Sequence, residues 1–157
     1  MPDVHRVLDP RTRTTVLPLL ISDDPDQAFQ MARAFEKAGI FAPLPILRSG
    51  DEAVAFLQGR GAYQDRTRYP LPSLVLLDLH GSGMSGLSVL AWIRLQPRLQ
   101  HLPVIMLSAS LDPDAIKRAY GVQANSYLIT PASFGELVEM VKAINHYWSS
   151  LNIHPNR

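Results

Sequence analysis

Apolar residues come in short continuous runs, and between them the spacing shifts to that of helices. Residues 74–77 (LVLL) are four apolar positions ending at Asp78, which reads as a buried strand delivering one carboxylate to a rim, with the Gly- and Ser-rich stretch to Gly86 as a flexible loop. Residues 15–21 are strand-like with the strand proper at 19–22, because Pro18 lacks an N–H and belongs near its start. Residues 44–47, 103–107 and 126–129 supply three more short strands, and Pro45 suits an edge.

Helices fill the intervals. Asp24, Pro25, Asp26 and Gln27 form a helix start, with an Asp cap, Pro at the first helical position, an acid near the positive end of the dipole and Gln to close a capping box. That helix should reach about Ala38, stop at Gly39, and bury Phe29, Ala32 and Phe35. A second helix is expected over 50–57. A third follows over 87–95, covering one side with Leu87, Leu90, Trp92 and Ile93 and stopped by Pro97. Asp112 and Pro113 open a fourth that ends near Gly121. Ser133 and Glu136 box the start of a last helix to about Ser149, with Phe134, Leu137, Met140, Val141 and Ile144 as its buried stripe. The polar stretch 59–72, with Tyr63, Tyr69 and three Arg, exceeds an ordinary connection and is a candidate contact surface.

Five strands alternating with five helices, the central strands apolar throughout, imply an α/β fold: a doubly wound parallel sheet covered on both faces. Ligands in such sheets sit beyond the carboxyl ends of the strands. Those ends carry Asp23, Arg48, Asp78, Ser108 and Thr130. With strand order 2-1-3-4-5, the first and third strands lie about 4.8 Å apart and bring Asp23 and Asp78 to one point. Two carboxylates there suit Mg²⁺, which takes one or two acids, keeps waters and binds phosphate oxygens. Asp78 would then be a nucleophile forming an acyl phosphate, with Ser108 donating to a phosphoryl oxygen. The alternative is a pair of rim acids without chemistry.

Composition narrows the classes. At 157 residues one domain is expected, divided as a flexible arm over 1–14, a folded body over 15–150 and a tail over 151–157. Hydrophobic residues at 46% and charged residues at 18% are those of an ordinary globular chain, and a net charge of +1 selects no nucleic acid. No apolar run approaches a membrane span, the start MPDVHRVLDPRTRTT lacks the apolar core of a secretion signal, and the absence of Cys removes disulfides. A reducing cytoplasm is the expected home. Gly81, Gly83 and Gly86 spell GxGxxG, but after the third strand rather than the first, which leaves a nucleotide-binding enzyme as a remote alternative. His5, His80, His101, His146 and His154 have no metal spacing, and Ser82 and Ser85 do not fit a hydrolase elbow.

The segments LLISDDPDQA, LVLLDLHGSGMSG, PVIMLSAS and NSYLITPASF resemble, in order and spacing, the four signature blocks of response-regulator receiver domains of the CheY-like superfamily, over about residues 17–148. GDEAVAFLQGRGAY, the long loop after it and INHYW look most like single-domain regulators paired with phytochrome-type histidine kinases. The resemblance implies a flavodoxin-like fold. Residue by residue it implies that Asp78 is the phosphoacceptor, Asp23 a metal-binding acid, His80 the position whose carbonyl binds metal, Ser108 the switch hydroxyl and Tyr127 the switch aromatic.

Departures accompany the resemblance. Ser22 stands where the family has a first acid, so its place among the metal ligands is open, and Thr130 stands where it has Lys before Pro. Ser82 and Ser85 replace the Pro and Asp of the following loop, and the isomer of Thr130–Pro131 is open. The two losses at the site cancel in formal charge. Mg²⁺ loses one acid, and a phosphoryl loses an ammonium whose gross attraction at contact is about 4 kcal/mol at an effective dielectric near 20.

Two functions therefore stand: a receiver phosphorylated at Asp78 by a histidine kinase, with weakened chemistry, and a phosphorylation-independent pseudo-receiver acting as an interaction module. Only nine residues follow Trp148, so output is expected to be binding. Tyr120, Tyr127, Tyr147 and Trp148 are expected around the last helix, as a homodimer face of the fourth helix, fifth strand and fifth helix.

Overall fold

The computed structural model describes residues 15–80 and 83–154; the arm read over 1–14, residues 81–82 and the end of the tail lie outside the described residues. Five strands, β1 (Pro18–Ser22), β2 (Ile46–Leu47), β3 (Leu74–Asp78), β4 (Val104–Ser108) and β5 (Ser126–Ile129), alternate with α1 (Pro25–Lys37), α2 (Gly50–Gln58), α3 (Gly86–Leu95), α4 (Pro113–Gly121) and α5 (Phe134–His146). Every strand pair is parallel and the sheet order is β2-β1-β3-β4-β5. The chain therefore has the flavodoxin-like topology with its switch point between β1 and β3.

Alternation along the strands divides the core. Leu19, Ile21, Val75, Leu77, Val104 and Met106 face Phe56 and Leu57 of α2 and Val89, Leu90 and Ile93 of α3. Leu20, Leu74, Leu76, Ile105 and Leu107 face Met31 and Phe35 of α1 and Leu137, Val138, Val141 and Ile144 of α5. With both faces covered, the apolar runs are continuous rather than alternating.

The helix starts follow their capping chemistry. Asp24 accepts from the amides of Asp26 and Gln27, Ser49 from Glu52, Asp112 from Asp114 and Ser133 from Glu136. Two expectations for α1 need correction. Its buried positions are Ala28, Met31, Ala34 and Phe35, while Phe29 is 62% exposed. Phe35 is buried as expected, but Ala28 and Met31 take the places expected of Phe29 and Ala32, since Ala28, Met31 and Phe35 sit at i, i+3 and i+7; Phe29 instead lies on the Arg33 side, 5.9 Å from its guanidinium. Nor does Gln27 close a capping box: its Oε1 is buried without a partner.

Elsewhere β2 is shorter than the 44–47 expected, since only Ile46 and Leu47 pair with β1, with the Pro45 carbonyl accepting from Leu20. The stretch 59–72 is packed rather than presented. Tyr63 and Tyr69 meet Phe56 edge on, Tyr63 donates to Glu52 at 2.7 Å, and Arg66 donates to the carbonyls of Phe56, Leu57 and Tyr69. Beyond α5 the chain continues through a π-helical turn, Tyr147–Leu151. Of the aromatic residues expected to cluster there, Tyr147 and Trp148 meet edge on at 5.0 Å, whereas Tyr127 packs against the core on the other face of the sheet, and Tyr120 is about half exposed. No described helix is long and apolar enough to cross a membrane.

Candidate functional site

Ser22, the last residue of β1, lies opposite Asp78, the last of β3, in the parallel register. The next residue, Asp23, precedes the Asp24 cap of α1, so the cap fixes where the chain turns away from the sheet. Asp78 is only 3% exposed although it ends its strand. One oxygen, Oδ1, meets Nε2 of His80, and the other accepts a long hydrogen bond from the Ser22 hydroxyl at 3.5 Å. The Asp23 carboxylate accepts the backbone N–H of His80 at 3.0 Å. His80 thus joins the two acids, by its ring to one and its amide to the other.

Burial pushes the Asp78 carboxyl above the ordinary Asp range. The His80 ring opposes that push, Asp23 adds to it through like-charge repulsion, and the Ser22 hydroxyl opposes it. The shared contact with His80 brings the two acids to one end of the sheet, as strand order implied.

On the other side of β3, the Ser108 hydroxyl accepts the amide of Ser110 at 3.0 Å, and the Tyr127 hydroxyl donates to the Ser110 carbonyl at 2.9 Å. Both residues hold the loop after β4 by one residue's backbone. Thr130 follows β5; its amide donates to the Ser108 carbonyl at 3.0 Å, while its Oγ1 is buried without a partner. The Thr130–Pro131 bond is trans, as are all the described peptide bonds. Arg48, the remaining strand-end residue, is exposed, and its amide donates to Glu52. Ser85 caps α3, accepting from Ser88, and Ser82 and Gly81 lie outside the described residues.

Sequence reading missed two features. One is the His80 ring on Asp78, for which a His two residues after a strand-end acid is the only signal. The other is that Gln27 turns inward, four residues before the buried Met31 and so on the same helix face. No three described His, Asp or Glu side chains are arranged to hold a metal, so a cation here would rest on two carboxylates completed by backbone and water.

A five-stranded doubly wound sheet with acids gathered at the ends of its first and third strands, and a hydroxyl at the end of its fourth, has the layout expected of a receiver domain. The chain belongs to the response regulator receiver domain family, whose model matches residues 19–142. It is 37% identical over 140 residues to the probable methanogenesis regulatory protein FilR2 of Methanothrix harundinacea, covering 87% of this chain and 86% of that one. It is 34% identical over 130 residues to the response regulator Rcp1 of Synechocystis, covering 83% and 86%. The phosphorylated cyanobacterial phytochrome response regulator RcpA superposes with a TM-score of 0.82 at 29% identity, over 91% of this chain and all of that one. Rcp1 has been solved with Mn²⁺ bound; it superposes with a TM-score of 0.77 at 32% identity, over 90% and 99%. The protein is a receiver resembling phytochrome response regulators, and two-component signalling is its setting.

Proposed function

We propose that Asp78 accepts a phosphoryl group from a phytochrome-type histidine kinase and that the product signals by protein–protein interaction. The observation that carries this reading is Asp78, the one buried carboxylate among the described residues, at the end of the central strand, with Ser22 opposite it in register and Asp23 joined to it through His80. In the transfer, an Asp78 oxygen forms a P–O bond as the P–N bond to the donor histidine breaks, and the imidazole leaves with the bonding pair. The residues fit a hard cation: Asp23 and Asp78 would supply two carboxylates, the His80 carbonyl would add a third oxygen, and water would complete the set. Bound Mg²⁺ would neutralise charge on the phosphoryl oxygens. Ser22 supplies a hydroxyl rather than a charge. On this reading the His80 ring leaves Asp78 Oδ1 before phosphorylation, Ser108 donates to the new phosphoryl group, and Tyr127 follows the β4–α4 loop.

The pseudo-receiver reading is favoured by one observation, the His80 ring on the reactive oxygen in a site where Thr130 brings no cation. Incubation with a small phosphodonor and Mg²⁺, read by intact mass, decides between them. Slow modification that is lost in Asp78→Asn supports the receiver, and an unmodified chain after prolonged exposure supports the pseudo-receiver. The reading places the protein in the cytoplasm with its kinase, acting on no substrate but its own acyl phosphate. It also assigns dimerisation to α4, β5 and α5, where Tyr120 and Ile129 are exposed, as is Tyr147 directly after α5. Sedimentation as a monomer at high concentration would remove that part.

A further inference from the structure

Recesses open at both ends of α5. At its start a cavity of about 390 Å³, walled by Leu20, Met31 and Leu137, reaches Asp78 and belongs to the site already described. At its end lies a groove of about 600 Å³, between the last turns of the helix, the starts of β4 and β5 and the segment 152–154, which is tied back by the His154 ring on the Trp148 carbonyl. Leu128 and Met140 line this groove half-buried, and Ile153, also in its lining, is 81% exposed. No Asp, Glu, Lys or Arg is among the described residues that line it, so it suits aliphatic side chains rather than a charged partner.

The chain itself has such side chains within reach. Val16 packs in the same core as Ile144 and Trp148, two residues of the groove lining. At this end of the sheet the Leu17 amide donates to Ser73 Oγ and the Val75 amide to the carbonyl of Pro103, which lines the groove. Two strand spacings of about 4.8 Å make the crossing from β1 to β4 roughly 10 Å. Extended chain covers about 3.3 Å per residue, so about three or four residues before Thr15 span it. Beyond them the sequence places Val4, Val7 and Leu8. The nearer recess, lined by Val16, Phe35 and Ile40, holds only about 10 Å³ and has no room for another side chain. A tethered segment also meets the groove at an effective concentration on the order of millimolar, which favours it over a second copy of the chain in dilute solution. We propose that the groove is the seat of the chain's own residues 4–8, with Val4, Val7 and Leu8 covering Leu128, Met140 and Ile153. The seat does not depend on phosphorylation of Asp78.

The chain contains no Cys, so Asp9→Cys accepts a single nitroxide label beside the segment. In the full chain, isotope-labelled for amide NMR and held dilute, the nitroxide should selectively broaden the amides of Ser126, Leu128, Ala143 and Asn152, and its reduction should restore them. Adding Val4→Ser, Val7→Ser and Leu8→Ser together should abolish the broadening, as should Met140→Glu, which sets a carboxylate in the groove. Amide dispersion shows whether each variant is folded, and if Met140→Glu is not, the triple variant decides alone. Mixing nitroxide-bearing chain without isotope and isotope-labelled chain without nitroxide separates the chain's own segment from that of a second copy, and no broadening is expected in the mixture. Broadening centred on Ile40 and the exposed Phe41, broadening scattered over the surface or absent, its persistence in the folded triple variant, or equal broadening in the mixture would overturn the proposal.

Discussion

Replacing Arg94 by Met tests whether one side chain sets the start of β5. Arg94 lies in the last turn of α3 and donates five hydrogen bonds: two to the Gln123 carbonyl at 2.9 and 3.0 Å, and one each to the carbonyls of Gln100 and Leu102 and to Asn125 Oδ1. Gln123 sits at φ +68°, a left-handed turn after α4, so the guanidinium holds a conformation that a Gln rarely adopts. Asn125 Oδ1 also accepts the Val104 amide at 2.8 Å and couples the clamp to the first residue of β4. Met keeps most of the buried stem and removes only the donors. Most of the released acceptors are exposed and recover water, whereas the Leu102 carbonyl, at 2.7 Å, is partly buried and is left unpaired. One charged, partly buried hydrogen bond together with the weaker exposed ones amounts to about 2–3 kcal/mol. In urea that is a midpoint lower by roughly 1–2 M for an ordinary slope. Arg94→Lys should lose about half as much, since a compact ammonium reaches fewer of the acceptors. A loss below about 0.5 kcal/mol for Arg94→Met would refute the reasoning, because surface substitutions without a structural role fall within that range.

Other consequences can be measured directly. Tyr63, whose hydroxyl is pushed up to about 12 chiefly by its hydrogen bond to Glu52, favours its neutral form in the folded chain. Stability from this bond is fully present below the ordinary Tyr value and is lost as pH rises towards 12, so Tyr63→Phe should cost about 1 kcal/mol at neutral pH and nothing at the alkaline end of a urea series. Ser22→Asp sets a second acid opposite Asp78 at a position only 1% exposed. Without metal it should lower stability by about 2 kcal/mol through burial and like-charge repulsion. Millimolar Mg²⁺ should return more stability to it than to the native chain, read as a larger metal-dependent rise in melting temperature. Gly50→Ala would set a methyl 2.7 Å from the Met84 Cβ, and should cost about 1–3 kcal/mol as α2 or the loop after β3 gives way.

What the sequence disclosed depended on how local each signal was. The five strands were legible because two-sided burial writes continuous apolar runs, and the caps at Asp24, Asp112 and Ser133 because capping is a matter of two or three adjacent residues. Strand-end chemistry then followed from topology, which put Asp23 near Asp78 and Ser22 in register with it. The face of α1 was less legible. Phe35 is buried as its size suggested, but Phe29 is not, and the smaller Ala28 and Met31 join the core in its place. The Tyr63–Tyr69–Phe56 group was hidden because a loop's side chains report burial only once the loop has folded back. The same holds for the cavity. It lies among residues of β1, α1, β3, α5 and the segment before α5, and no spacing records a space that none of them fills.

The Asp78 carboxylate is a wall shared by two chambers, with Asp23 and His80 on one side and the α1–α5 cavity on the other. Anything that changes its charge or moves it from one side alters what the other side can hold. Thermodynamic reciprocity then requires that an occupant of the cavity change the affinity of a cation at Asp23 and Asp78 by the same factor as that cation changes the occupant's. A group placed in the cavity and a cation placed beside Asp23 would thus be coupled through the one Asp78 carboxylate.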